Sequence, residues 1–70
     1  MKSEIQNALS RNIRGLRIKR HISQDRLSKL TDLSLNTIVK IEAGKNLNPT
    51  IVTLSKIARS LNVRIDDLIK

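Results

Sequence analysis

Two short runs of helical apolar spacing lie between Ser23 and Gly44, separated only by Asp32-Leu33-Ser34, and this confines the chain to helices packed across a tight turn. The first run covers residues 24–31. Ser23 precedes it as N-cap, with a side-chain oxygen free to accept from an amide of the first turn. Leu27, Leu30 and Thr31 recur at helical spacing and predict one inward stripe. Asp32 tolerates the left-handed conformation that ends a helix better than most non-glycine residues do. Ser34 starts the second run, whose inward residues are Ile38 and Ile41. Asn36, Val39, Lys40 and Ala43 fall on the opposite side, with Leu35 at the leading edge. A helix with that outer face, held by the helix before it, has a geometry that fits the major groove of DNA.

Seventy residues permit one domain with a small core, near the lower limit for folding unaided. Without cysteines there is no disulfide or thiolate metal site, and a single His21 cannot build a metal cluster. No apolar run approaches the roughly 18 residues of a membrane span. The first ten residues hold no hydrophobic stretch of signal-peptide type, so the expected location is the cytoplasm. Fourteen Lys and Arg oppose six Asp and Glu, and the net charge of +8 predicts attraction to a polyanion. Ten of the fourteen lie before Asn46, in the part that carries the helix pair. Proteins that bind single strands or RNA loops generally stack bases on aromatic rings. This chain has no aromatic residue, so the polyanion it suits is duplex DNA.

A first helix is expected from Ser3, where S-x-x-Q with Gln6 has the form of a capping box. Ile5, Leu9, Ile13 and Leu16 mark its apolar stripe, with Ala8 on the flank and Ile18 on the opposite side. Gly15 lies near Ala8 on the helical wheel, which predicts close approach of another element there. Residues 11–20 hold five basic residues and no acid, a solvated face with a general pull on phosphate. His21 falls at the end of this helix, where a cation suits the dipole.

Beyond Glu42, Gly44 is a natural left-handed terminator. Asn48 and Pro49 predict a fourth helix with Asn as N-cap and Pro at the first helical position. Its expected buried face is Ile51, Leu54, Ile57, Ala58 and Leu61, and Asn62 marks its end. A fifth helix is expected over residues 64–69, with Val63, Ile65 and Leu68 inward and a frayed start, because Arg64 is no cap. The fold class read from this pattern is all-α: five helices in one domain over residues 1–70, with a central helix-turn-helix at 24–42.

The ordered motifs resemble those of the phage repressor and Cro family of helix-turn-helix regulators, which includes restriction-modification controllers. They are L-R at Leu16-Arg17, S-Q at Ser23-Gln24, L-S at Leu33-Ser34, T-I at Thr37-Ile38, I-E-A-G-K from Ile41, and N-P-T from Asn48. Two departures stand out: Ser28 where the family usually has Ala, and Asp32 where it has Gly. Ser28 puts a hydroxyl at the crossing of the two helices, which predicts a turn less stable than the family norm. The resemblance implies a repressor-like DNA-binding domain. It also implies an ion pair between Arg17 and Glu42 that ties helix one to the reading helix; the competing reading is a surface pair of little weight.

Asn36 has the groups to pair with adenine, donating to N7 and accepting from N6, and Lys40 can donate to guanine O6 and N7. Leu35 and Val39 suit a thymine methyl, with core packing as the competing reading. The family reads bases from the positions of Leu35, Asn36 and Lys40. Gln24 opens its helix, where amides and the dipole favour an anion, and the family places a phosphate-touching Gln there. Thr37, Lys45 and Asn46 are the further candidates for phosphate; a free surface lysine is the alternative for Lys45. No catalytic arrangement, cofactor motif or metal spacing emerges, and Asp66-Asp67 sit near a helix start where acids suit the dipole.

The function expected is a sequence-specific regulator of transcription, by family frequency a repressor. It would act as a homodimer on a palindromic operator in double-stranded DNA. The expected dimer surface is the C-terminal segment through Ile69, with Ile18 second. The alternative from another class is an antitoxin-type protein that neutralises a toxin partner and binds DNA for autoregulation. Such proteins usually carry an extra segment for the toxin, and the chain's end at Lys70 weighs against this reading.

Overall fold

The computed structural model describes residues 4–45 and 49–70, with side chains of the first helix from residue 8 onward. Five helices follow one another: α1 (Glu4–Lys19), α2 (Gln24–Thr31), α3 (Leu35–Glu42), α4 (Ile51–Ser60) and α5 (Ile65–Ile69). No strand occurs among the described residues. α1 packs on α3 and α5, α2 on α3 and α4, and α4 on α5.

Every helix supplies aliphatic side chains to one core. It comprises Leu9 and Ile13 from α1, Leu27 from α2, Ile38 and Ile41 from α3, Leu54, Ile57 and Ala58 from α4, Leu61 just after α4, and Leu68 from α5. Two expected core positions stand outside it. Leu30 is 46% exposed, because the buried stripe of α2 runs through Leu27, Ser28 and Thr31 and leaves Leu30 roughly 100° around the helix. Ile51 is 67% exposed, because α4 begins at that residue and its first turn lies outside the core.

The helix starts share one device. Ser23 Oγ accepts from the Arg26 amide at 3.0 Å, Ser34 Oγ from that of Thr37 at 3.1 Å, and Thr50 Oγ1 from that of Thr53 at 3.1 Å. The cap of α4 is therefore Thr50, not Asn48, and Pro49 precedes the cap instead of opening the helix. Thr50 has the extended backbone a cap requires (φ −73°, ψ 162°) and brings its own hydroxyl to the third amide. Asn48 itself lies outside the described residues, as does the proposed capping box at Ser3.

The helix ends share another device. After α1, α2, α3 and α4 the chain passes through a left-handed residue: His21 (φ 57°), Asp32 (58°), Gly44 (71°) and Asn62 (57°). In each case the next amide reaches back to a carbonyl five residues earlier: Ile22 to Arg17, Leu33 to Ser28, Lys45 to Lys40 and Val63 to Ala58, at 2.8–3.1 Å. The amide of the left-handed residue itself donates to the carbonyl three residues before it, and this double closure satisfies carbonyls that a helix end otherwise leaves unpaired. Ile22, Leu33 and Val63 then fold back onto the core, so three of the four closures are also hydrophobic clasps.

Three local expectations change. A Cβ on Gly15 would meet nothing within 4 Å, so no element among the described residues approaches it closely. The hydroxyl of buried Ser28 donates to the Asp25 carbonyl at 2.6 Å and is thereby satisfied. The start of α5 is tied down, because the Arg64 amide donates to Asp67 Oδ2 at 3.0 Å. At the other end of α5 the Asn12 side-chain amide donates to the carbonyls of Leu68 (3.0 Å) and Lys70 (2.9 Å). A five-residue helix is too short to persist alone, and these contacts with the packing of Leu68 hold it.

The amide of Arg64, followed by attraction from Lys70 and Arg64, holds the Asp67 carboxyl below its ordinary value of 3.8. A depressed carboxyl stabilises the fold fully above its unfolded value and loses that contribution as pH falls through the native one. Protection of the α5 amides, relative to their intrinsic exchange rate at each pH, is therefore expected to fall only below about pH 3.8, with an NMR titration midpoint for Asp67 under that value. Asp67→Ala should show faster exchange at neutral pH and no such acid step; identical exchange in variant and parent would remove this role.

Candidate nucleic-acid interface

The core decides which side of α3 faces outward. Ile38 and Ile41 are 1% and 2% exposed, so the helix cannot rotate without withdrawing both from the interior. The opposite face presents Leu35, Asn36, Val39, Lys40 and Ala43 to solvent. Asn36 and Lys40 stand one turn apart, and Leu35 and Val39 form a parallel row. Leu35 and Val39 are 43% and 40% exposed, which removes core packing as their explanation. Thr37 is half-buried, its hydroxyl 2.8 Å from that of Ser34 at the helix start. Lys45 is exposed immediately after the Gly44 closure, and Asn46 lies outside the described residues. Among the described residues no carboxylate lies within ion-pair distance of Lys40 or Lys45.

The end of α3 is anchored by Glu42. Arg17 Nε donates to Glu42 Oε2 at 2.7 Å and Nη2 to Oε1 at 3.0 Å, a two-point fork between guanidinium and carboxylate. Arg17 Nη1 also donates to the Ile22 carbonyl at 2.8 Å, and Gln24 Nε2 donates to Glu42 Oε1 at 3.2 Å. The Arg17 and Glu42 side chains are only 13% and 4% exposed, so this is not a loose surface pair. One network thus joins the last turn of α1, the α1–α2 connection, the first residue of α2 and the last residue of α3.

Gln24 and Arg14 take places that sequence reasoning did not assign. Gln24 opens α2 as expected, but part of its hydrogen-bonding capacity holds Glu42 in place. Arg14 joins Arg17, Gln24, Val39, Glu42 and Ala43 in lining an open cleft of about 370 Å³ beside α3. The spacing offered a signal: Arg14 lies three residues before Arg17, hence on the same face of α1, next to whatever Arg17 holds. No cluster of His, Asp or Glu suited to a metal exists among the described residues, and no described helix is long and apolar enough to cross a membrane.

The model of the Cro/C1-type HTH DNA-binding domain matches residues 12–70. The chain belongs to this family. It is accordingly a DNA-binding domain of the helix-turn-helix transcription regulators, as the ordered motifs implied. An HTH-type transcriptional regulator of Archaeoglobus fulgidus is 43% identical over 56 residues, covering 80% of this chain and 79% of the relative. One of Coxiella burnetii is 34% identical over 62 residues, covering 89% of this chain; the matched part spans only 29% of that longer protein. Among solved structures, the restriction-modification controller protein C.AhdI of Aeromonas hydrophila superposes with a TM-score of 0.83 at 25% identity. That match covers 93% of this chain and 94% of C.AhdI.

Because Glu42 is buried with its partners, removing one member should cost far more than removing an exposed pair. Arg17→Met and Glu42→Gln are each expected to lose about 3–5 kcal/mol in chemical denaturation. The double variant should lose clearly less than their sum, since neither then leaves a buried charge unpaired. Additive effects below about 1 kcal/mol would show that the pair carries no coupling.

Proposed function

We propose that this protein regulates transcription by binding a specific duplex site as a homodimer, with α3 entering the major groove of each half-site. The observation that carries this reading is the outer face of α3, which exposes Asn36 and Lys40 on one side of a helix locked by Ile38, Ile41 and Glu42. In this reading Asn36 pairs with adenine, Lys40 with guanine, and Leu35 and Val39 pack on thymine methyls. Gln24, Thr37, Lys45 and Asn46 position the domain on phosphates, which carry no sequence information themselves. Repression is the expected sign of regulation. The likeness to C.AhdI supports a controller-type role among the family's uses.

The homodimer follows from size. One small module reads only a few base pairs, and two copies about a two-fold axis double the site and make it palindromic. Ile69, 41% exposed at the end of α5, is the proposed contact between copies. Reading and dimerisation then occupy different helices, so either can be removed by itself.

Binding to duplex DNA is expected to weaken steeply with salt, with a slope of roughly −4 or steeper for the dimer, at about −0.9 per phosphate neutralised. A flat titration between low and physiological salt would remove the DNA reading. Selection from random duplexes should recover a site with two-fold symmetry and half-site centres about 34 Å apart. Lys40→Ala should relax discrimination at one position of each half-site, by about 1–3 kcal/mol. Ile69→Asp should leave the monomer folded while weakening dimerisation and full-site binding, and an unchanged sedimentation profile would exclude the α5 surface.

A further inference from the structure

α1 carries residues, Arg11, Gly15 and Ile18, that neither the core nor the α2–α3 site uses. Beside the cleft lined by Arg14 and Gln24 lies a second open groove of about 410 Å³, formed by Ser10, Arg11, Arg14, Gly15, Ile18 and Glu42. Arg14 and Glu42 line both, so the two hollows adjoin at these residues, between the outer flank of α3 and α1. We propose that this α1 groove seats a phosphate of the DNA backbone, with Gly15 as its floor and Arg11 and Arg14 as its donors.

Charge is the first reason. The Glu42 oxygens already accept from Arg17 twice and from Gln24 once. Among the described residues no carboxylate lies within ion-pair distance of Arg11 or Arg14, and both residues are exposed. Among the described residues, two guanidinium groups therefore stand at one groove without a carboxylate in ion-pair distance. Their planar fork of donors matches a phosphate better than an ammonium does.

The second reason is Gly15. Glycine within a helix lowers stability relative to alanine. Here no packing among the described residues requires it, since a Cβ would meet no atom of another element within 4 Å. The missing side chain instead opens the helix backbone to close approach from outside, between two basic residues that can hold what approaches. The third reason is position. Val39 and Ala43, on the outer face of α3, border the adjoining cleft. A helix lying in a groove about 12 Å wide is flanked by the phosphate strands that bound it. This inference rests on the reading that α3 enters the major groove, and it adds a contact from α1 that fixes how deeply and at what angle.

The test uses the full chain, the selected duplex and a duplex of random sequence. Arg14→Gln is expected to weaken binding to both duplexes by the same several-fold factor. It should also make the salt slope of the monomer–half-site interaction shallower by about 0.9, while Arg14→Lys restores most of that slope. Gly15→Leu should fold with an equal or higher melting midpoint yet bind both duplexes more weakly. The proposal falls if Arg14→Gln leaves affinity and slope unchanged, or if it weakens only the selected duplex, which would mean base reading. It also falls if Gly15→Leu alters sedimentation and not DNA binding, which would make the groove a contact between copies. Lys40→Ala separates the two levels: lost discrimination beside an inert Arg14→Gln overturns the α1 contact alone, whereas full discrimination in Lys40→Ala overturns the groove reading and this inference together.

Discussion

Glu42 accepts three hydrogen bonds from two side chains, and the orientation of the outer face of α3 depends on it. Arg17 approaches it with two donors from α1 and spends a third on the carbonyl of Ile22, while Gln24 reaches it from the start of α2. A carboxylate left 4% exposed would be costly without such partners. Because all its partners lie on other elements, the energy of satisfying it is realised only when α1, α2 and α3 stand in one arrangement. Apolar packing of Ile38 and Ile41 chooses which side of α3 faces inward, but tolerates some tilt and sliding. The two-point fork to Arg17 tolerates much less. Specificity of arrangement therefore comes from the polar network, and the gross stability comes from the aliphatic core.

The remaining architecture is economical in kind. Three helix starts use a hydroxyl on the third amide, and four helix ends use a left-handed residue with a double backbone closure. Three of those left-handed residues are His, Asp and Asn, which adopt the conformation at some strain, in place of glycine. The aliphatic residue that follows each of them, Ile22, Leu33 or Val63, offsets this by joining the core. α3 alone ends with glycine and is followed by a lysine. Its terminus is thus closed by backbone geometry without a hydrophobic clasp, at the edge that faces outward.

Much of this was legible in the residues themselves. The hydroxyl cap at Ser23, the helix start at Ser34, the turn at Asp32, the inward pair Ile38 and Ile41 and the left-handed Gly44 follow from local chemistry that tertiary packing does not override. The Arg17–Glu42 pair was not local; it came from the family resemblance, and the geometry gives it the buried, multiply bonded form. What was not legible depended on where neighbouring elements stop. Leu30 and Ile51 have helical spacing, yet the core does not extend to meet them. Thr50 outcompeted Asn48 because the helix begins two residues later than the Pro signal suggested. Asn12 and Asp67 steady α5 through contacts that no periodicity encodes, one of them spanning most of the chain. For the candidate interface, the row of exposed residues on α3 followed from the wheel. Arg14's place beside it required knowing how α1 crosses α3.

The Asn12 contact also turns α1 into a ruler. Asn12 grips the carbonyls that end α5, and Arg17, five residues along the same helix, grips the end of α3. At about 1.5 Å of rise per residue, those two attachment points stand roughly 7.5 Å apart along a hydrogen-bonded rod. The offset between the C-terminal helix and α3 is thereby measured by α1 and not by the connections between helices. Inserting one residue between Asn12 and Arg17 would swing one grip about 100° around the rod relative to the other. Lengthening a connection between helices would leave the spacing of the two grips on α1 untouched, whereas the span between 12 and 17 sets it directly.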